Sequence, residues 1–168
     1  MKKLNFIGLC LCILLGSVIT ASAQMAPAKR VPPAVEKTVV LNAPAEKVWE
    51  YVSEPANYRK FSGVKEFTCE EKALNAKIEL TTRDGKKRNQ HISVIDYDNF
   101  RICYFVTKSD YDGDNQWVYS FEVKSRGSKK CELIVAVYHG FDPLPEEFKK
   151  GITQEFNDII TGVSKKFK

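Results

Sequence analysis

The longest amphipathic pattern in the chain is at its C-terminal end, between Pro143 and Lys168. Large apolar residues recur there at spacings of three and four, which is the period of one helix face. They are Phe148, Ile152, Phe156, Ile159, Ile160, Val163 and Phe167. Polar residues, Glu155 among them, are expected on the opposite face. The pattern predicts one long helix that needs a broad apolar surface to cover it.

The chain before this helix has the pattern of strands joined by tight turns. Alternating apolar and polar residues, interrupted by turn signals such as Asp84-Gly85 and Gly127-Ser128, predict seven strands. Their expected ranges are 35–41, 64–70, 76–82, 88–97, 100–107, 116–123 and 129–138. Two short helices, one opened by Pro44 and one over 56–61, separate the first strand from the second. We therefore expect a sheet wrapped around the long helix, with the function located between the two.

The first 23 residues have the features of a signal peptide. Lys2 and Lys3 precede an apolar run from Phe6 to Ile19, and Ala21-Ser22-Ala23 fits a small-x-small cleavage site. The run is shorter than the roughly 20 residues of a membrane-spanning helix. Residues 24–34 are rich in Pro and Ala and are expected to be a flexible linker, which leaves 35–168 as one domain. The mature protein is expected to be periplasmic or secreted, without stable membrane insertion.

Neither the charge nor the cysteine content of the chain indicates a nucleic-acid-binding protein or a disulfide-linked one. The net charge is +5 and falls to +3 once Lys2 and Lys3 leave with the signal peptide, which is too weak a bias by itself to indicate a nucleic-acid or an anionic-lipid partner. The run Lys86-Lys87-Arg88 is interpreted as a solvated hairpin tip. The cysteines of the mature chain lie in apolar strand-like runs, so we expect three free, buried thiols. These are Cys69, Cys103 and Cys131.

One segment resembles a known family. Residues 39–52 read VVLNAPAEKVWEYV, with an apolar strand, a small residue, Pro44, an acidic residue and the pair Val48-Trp49. This resembles the opening of the START/Bet v 1-like (SRPBCC) superfamily, which includes polyketide cyclase/dehydrase and lipid-transport proteins. The resemblance implies an α+β helix-grip fold, in which a curved antiparallel sheet of about seven strands surrounds a long C-terminal helix. It also implies a ligand cavity between sheet and helix.

No residue pattern predicts a catalytic or metal site. His91 and His139 are the two histidines, no Cys-x-x-Cys or His-Glu-x-x-His spacing occurs, and no cofactor is expected. The loop 110–115 has the Asp-x-Asp-x-Asp spacing of a calcium loop but lacks the glycine and the glutamate at its later positions. We interpret it as a solvated acidic turn. No catalytic residue is assigned.

The expected ligand-contacting residues are those that the fold would turn towards the cavity. Tyr104, Trp117 and Tyr119 combine rings with polar tips, which can line a pocket and orient a ligand. His91 faces either the cavity or solvent, depending on strand register. The complete candidate set is His91, Tyr104, Trp117, Tyr119, Phe121, Leu133, Val135, Phe148, Ile152, Phe156 and Ile160.

Three functions follow from this pattern. The first is an exported protein that binds a small hydrophobic or amphipathic ligand, such as a lipid, a quinone or a polyketide-like ring. The second is a cyclase/dehydrase-like enzyme, although no acid–base pair is predicted for it. The third is an interaction domain whose cavity is filled by its own aromatic side chains. The partner expected is a small apolar ligand, and the oligomeric state stays open.

Overall fold

The computed structural model describes residues 31–140 and 144–168 of the chain. The predicted signal peptide, most of the predicted linker and Pro143 lie outside these residues. The strands are β1 (Val35–Leu41), β2 (Glu66–Cys69), β3 (Lys77–Thr81), β4 (Lys87–Asp96), β5 (Arg101–Ser109), β6 (Trp117–Ser125) and β7 (Cys131–His139). The helices are α1 (Ala45–Val52), α2 (Pro55–Ser62) and α3 (Glu146–Lys166). The predicted order of elements is confirmed, with boundaries shifted by a few residues.

The strands form one antiparallel sheet in the order β1-β7-β6-β5-β4-β3-β2. The first strand pairs with the last, so the short helices α1 and α2 span the sheet between its two edges. Irregular register at Asn89/Gln90 and at Ile92/Val94 marks bulges where β4 pairs with β5. Bulges increase the local twist and bend of a strand, which suits a sheet that curves around a helix.

Helix α3 packs its apolar face against this sheet, which confirms the helix-grip fold. Pro145 precedes the first turn, Glu146 and Glu147 lie in that turn, and Lys165 and Lys166 occupy the last one, as the helix dipole favours. The side chains of Phe148, Ile152, Phe156, Ile159 and Val163 are fully buried.

The prediction for this helix face was wrong at two positions. Ile160 is half-buried and lies outside the core, whereas Glu155, assigned to the polar face, is 6 % exposed. Glu155 follows Ile152 by three residues and precedes Ile159 by four, so helix geometry turns it inwards with them.

Cys69, Cys103 and Cys131 are free, as the sequence predicts. Cys103 and Cys131 are buried, but the prediction of burial was wrong for Cys69, which is half-buried. None of the helices in the described part of the chain is long and apolar enough to cross a membrane.

Candidate functional site

The inner wall of the sheet is formed by alternate residues of the central strands. Successive side chains of a strand point to opposite faces, so each strand contributes every second residue. Strand β4 contributes Arg88, Gln90 and Ile92 to this wall, and all three are buried. The neighbouring strands add Tyr104 from β5, Trp117, Tyr119 and Phe121 from β6, and Leu133 and Val135 from β7.

The structure brings most of the candidate residues together. Ring contacts connect the sheet to the helix. The ring centroids of Tyr119 and Phe156 are 5.4 Å apart, and those of Trp117 and Phe148 are 5.1 Å apart. Both pairs have the edge-to-face geometry that aromatic rings prefer. Nine of the eleven candidates belong to this core: Tyr104, Trp117, Tyr119, Phe121, Leu133, Val135, Phe148, Ile152 and Phe156.

His91 lies elsewhere, as Ile160 does. Its ring packs 5.3 Å from that of Phe105, its cross-strand partner, on the face of the sheet opposite to Gln90 and Ile92. The register that the sequence left open is therefore the one that turns His91 away from the helix. His91 is removed from the set of cavity-lining residues.

The interior contains an ion pair that the sequence pattern did not predict. Arg88 donates through both terminal nitrogens to Glu155, with Nη1–Oε2 and Nη2–Oε1 distances of 2.8 Å. The Tyr58 hydroxyl of α2 donates to Oε1 of the same carboxylate at 3.1 Å. Arg88 is 1 % exposed, so the interpretation of residues 86–88 as a solvated tip was wrong for this residue.

Burial and the ion pair shift the pKa values of these groups in predictable directions. Burial lowers the pKa of Arg88, but the attraction of Glu155 outweighs it, so the pKa is raised overall and the guanidinium stays charged. Burial, with a further contribution from Glu155, raises the pKa of the Tyr58 hydroxyl above its ordinary value. Burial also raises the pKa of Tyr104 and Tyr119. All three hydroxyls are therefore protonated near pH 7; Tyr58 donates its proton to Glu155, and the Tyr104 and Tyr119 hydroxyls remain available as hydrogen-bond donors.

Six buried polar atoms in the described residues have no hydrogen-bond partner. Buried polar side-chain atoms are usually paired, so a cluster of exceptions requires an explanation. The Tyr119 and Tyr58 hydroxyls lie close enough to influence each other's pKa but do not reach hydrogen-bond geometry, so Tyr119 stays in the unpartnered group. The six are Arg88 Nε, Gln90 Nε2, Gln90 Oε1, Tyr104 Oη, Trp117 Nε1 and Tyr119 Oη.

These six atoms belong to one strip of the sheet. Arg88 and Gln90 are alternate residues of β4, and Trp117 and Tyr119 are alternate residues of β6, with Tyr104 of β5 between them. The Arg88 guanidinium lies 5.4 Å from the Trp117 ring and 5.2 Å from the Tyr119 ring, which are distances for cation–π contact. We call these five residues the polar strip.

A groove outside the interior leads to the ion pair. It has a volume of about 780 Å³ and lies between the first half of α3, the turn between β3 and β4, and the loop between β5 and β6. We call it the α3 groove. Glu155 lines this groove while its carboxylate binds Arg88 behind it, so it separates the groove from the polar strip.

Tyr111 closes one side of the α3 groove. Its hydroxyl lies 3.0 Å from both carboxylate oxygens of Asp84. Lys86 Nζ lies over its ring, 4.9 Å from the ring centroid. Its ring also packs on the backbone of α3 at Gly151, where an added Cβ would come within 2.4 Å of Cε1. Partial burial, with a contribution from Asp84, raises the pKa of Tyr111 to about 12.

The acidic loop before β6 is not fully solvated, contrary to the interpretation of its sequence. Asp112 has a side chain 8 % exposed, and its Oδ2 lies 2.7 Å from Nε2 of the buried His139. In residues 31–140 and 144–168, no group of three or more His, Cys, Asp and Glu side chains is placed to hold a metal ion. Beside the polar strip the arrangement offers hydrogen-bond donors and apolar surface, and the Glu155 carboxylate there is bound to Arg88.

The missed residues had signals in the sequence, but weak ones. Arg88 and Gln90 lie inside the predicted strand 88–97 at even spacing from Ile92, so strand alternation alone places them on the same inward face as Ile92. Glu155 has core spacing on α3, three residues after Ile152 and four before Ile159. Charged side chains are rarely buried alone, and nothing in the sequence indicated that these two meet across 67 residues.

Comparison with known proteins agrees with the geometry. The family model described as "Polyketide cyclase / dehydrase and lipid transport" matches residues 32–162. No curated protein matches the chain.

Solved structures share the fold. One is the protein XoxI from Bacillus cereus, with a TM-score of 0.67 and 12% identity, covering 79% of this chain and 94% of that one. Another is the Zhui aromatase/cyclase from Streptomyces sp. R1128, with a TM-score of 0.66 and 16% identity over 79% of this chain and 91% of that one. A START superfamily protein from Mycobacterium smegmatis has a TM-score of 0.61 and 14% identity over 79% and 95%.

Proposed function

We propose, since this chain belongs to the polyketide cyclase/dehydrase and lipid transport family, that it binds a small amphipathic ligand between the sheet and α3. The observation that carries the proposal is the polar strip, with six unpartnered buried atoms on one wall. Leaving a buried polar group unpaired costs roughly 1–3 kcal/mol, so such a cluster is expensive unless something pairs with it. A ligand with polar atoms at one side of an apolar body satisfies these groups and the aromatic walls together.

The chemistry of the strip favours a ligand whose polar atoms accept hydrogen bonds. Arg88 Nε, Gln90 Nε2 and Trp117 Nε1 only donate, the two tyrosine hydroxyls do either, and Gln90 Oε1 only accepts. Donors therefore predominate. A ring ketone, a quinone or a polyketide-like ring provides acceptor oxygens on a planar apolar body.

The α3 groove is the proposed entrance. Its volume of about 780 Å³ is in the range of small-molecule sites. Glu155 lines the groove and binds Arg88, so a ligand reaches the polar strip when this side chain moves aside for its passage. Because the ion pair is electrically neutral, it re-forms once a neutral ligand has passed, whereas an anion competes with Glu155 for Arg88.

The experiment compares two ligands of one skeleton, flavone and flavan, by equilibrium dialysis. Flavan lacks the ring carbonyl and is more apolar. Purely hydrophobic binding therefore favours flavan, whereas the polar strip favours flavone by about 10-fold, the value of one good hydrogen bond. Replacing Gln90 by Leu should remove most of that preference, and the exposed Gln116→Leu should not. Equal binding of the two compounds, or none, contradicts the proposal.

We also propose that the protein acts after export, in the periplasm or outside the cell. The support is the sequence of residues 1–23, which has a basic start, an apolar run and a small-residue cleavage site. Intact mass measurement of protein from its native source should give a chain beginning at Gln24. A chain that retains Met1 would refute export with cleavage.

A further inference from the structure

A second concavity, separate from the interior, is lined mainly by basic side chains. It has a volume of about 420 Å³ and lies where the end of α2, the turn between β3 and β4, and the last turns of α3 meet. Its basic residues are Arg59, Lys60, Arg83, Lys165 and Lys166. We call it the basic pocket. Asp158 is its one acidic lining residue.

Close contact between two helices brings these charges together. A Cβ on Gly162 would come within 2.3 Å of the Phe61 carbonyl oxygen, so the backbones of α2 and α3 touch at this point. The basic residues at the end of each helix therefore flank one concavity. Gly63, with a φ of 73°, ends α2 and leaves room for the Arg83 guanidinium, which a Cβ there would approach to 3.1 Å.

The negative ends of the two helix dipoles balance only part of the positive charge of the basic pocket. Each helix C-terminus carries about half a negative charge, and basic side chains near it are commonly present for that reason. Asp158 binds Arg83 Nη1 at 3.0 Å and so neutralises one cation. Subtracting these negative charges leaves an excess of about three positive charges around the pocket.

The partners of the remaining cations do not remove the excess. Lys60 Nζ donates to the neutral Asn57 side chain at 2.8 Å, and Lys166 Nζ lies 5.9 Å from the Tyr51 ring. Among the residues that the structure describes, neither Arg59 nor Lys165 has an ion-pair or hydrogen-bond partner for its head group. Like charges from three chain segments repel one another unless an anion lies between them.

We infer that the basic pocket is a binding site for a phosphate-type oxyanion, held mainly by Arg59 and Lys165. Arg presents a planar fork that matches phosphate oxygens, and Lys adds a mobile point charge. The inference does not rest on the proposed function of the interior. The same chemistry is provided by free phosphate and by the headgroup of an anionic lipid, and the test distinguishes the two.

The test uses the whole protein, inorganic phosphate and lipid vesicles. Phosphate is titrated while backbone amide resonances are recorded, and shifts are expected at residues 59–63 and 161–166. Sedimentation with phosphatidylcholine vesicles, with and without phosphatidylglycerol, tests for the headgroup. The variant Arg59→Gln/Lys165→Gln should weaken binding by about 10-fold or more.

The matched control is Lys129→Gln/Lys130→Gln, which removes the same charge from an exposed turn before β7. This control should change binding less than about 2-fold, as expected for long-range charge alone in salt. Pocket-dependent phosphate shifts support a free anion as ligand, and pocket-dependent sedimentation with phosphatidylglycerol supports a lipid headgroup. Absence of both, or an equal loss in the control variant, overturns the inference.

Discussion

Arg88 and Glu155 form a doubly hydrogen-bonded ion pair between the sheet and the helix that it surrounds, with both N–O distances at 2.8 Å. Arg88 belongs to β4 and Glu155 to α3, so the ion pair connects the sheet to the long helix. Two charges inside a protein cost several kcal/mol each to desolvate, and their attraction repays this only when both are present.

Removing one partner of the ion pair should therefore destabilise the protein much more than removing both. We expect Glu155→Leu to lower the free energy of unfolding by about 3–5 kcal/mol, because it leaves Arg88 buried and unpaired. The double variant Arg88→Met/Glu155→Leu should recover most of that loss. Urea unfolding measures both values. The ion pair of the exposed Arg83 with Asp158 is the control, and Arg83→Met should cost less than about 1 kcal/mol. Additive losses in the double variant would show that the pair is not coupled.

The polar strip should reduce stability while it serves binding. Gln90→Leu replaces two unpartnered buried polar atoms by apolar surface of similar volume. The ligand-free protein should gain about 1–3 kcal/mol in unfolding free energy. Denaturation in urea, with and without flavone, separates this gain from the accompanying loss of binding. A destabilised variant would indicate that Gln90 is already paired in the free protein.

Two glycines of α3 should respond differently to alanine. Alanine favours a helix by about 1 kcal/mol over glycine, which is the expected gain at an open position. Gly162→Ala should instead destabilise by about 1–3 kcal/mol, since the Phe61 backbone cannot move aside. Gly151→Ala meets the Tyr111 ring, which can swing away, so its cost should be smaller and should disappear in a Tyr111→Ala background. Thermal unfolding of Gly162→Ala, Gly151→Ala, Tyr111→Ala and Gly151→Ala/Tyr111→Ala measures these differences in stability.

Stability should fall at alkaline pH, in part through Tyr111. Its pKa is raised to about 12 in the folded protein, against about 10 for an unfolded tyrosine. A raised folded-state pKa contributes stability below the unfolded value, and this contribution is lost as pH rises from about 10 towards 12. Tyr111→Phe should flatten the decline of unfolding free energy over that window. An unchanged slope would show that Tyr111 titrates normally.

Sequence patterning predicted the fold well because the fold depends on periodicity and turns. Strand β1 was predicted to the residue, and the long helix was predicted except at its ends. The site was predicted less well because polarity was taken as a sign of exposure. Arg88 and Glu155 have core spacing in their own elements, yet each becomes tolerable inside the protein only through the other. That pairing depends on the tertiary structure, and so does the strand register that turns His91 outwards, so neither could be predicted from local sequence patterns.

The proposed function requires that a ligand occupies the interior beside the polar strip. Native mass spectrometry of protein purified without denaturation from its native source, followed by organic extraction of the bound material, detects such a ligand. We predict an excess mass of a few hundred daltons, lost on denaturation, that belongs to an apolar compound with acceptor oxygens and is diminished in Gln90→Leu. A chain of bare polypeptide mass that also fails to take up flavone would contradict the claim and favour an interior filled by its own aromatic side chains.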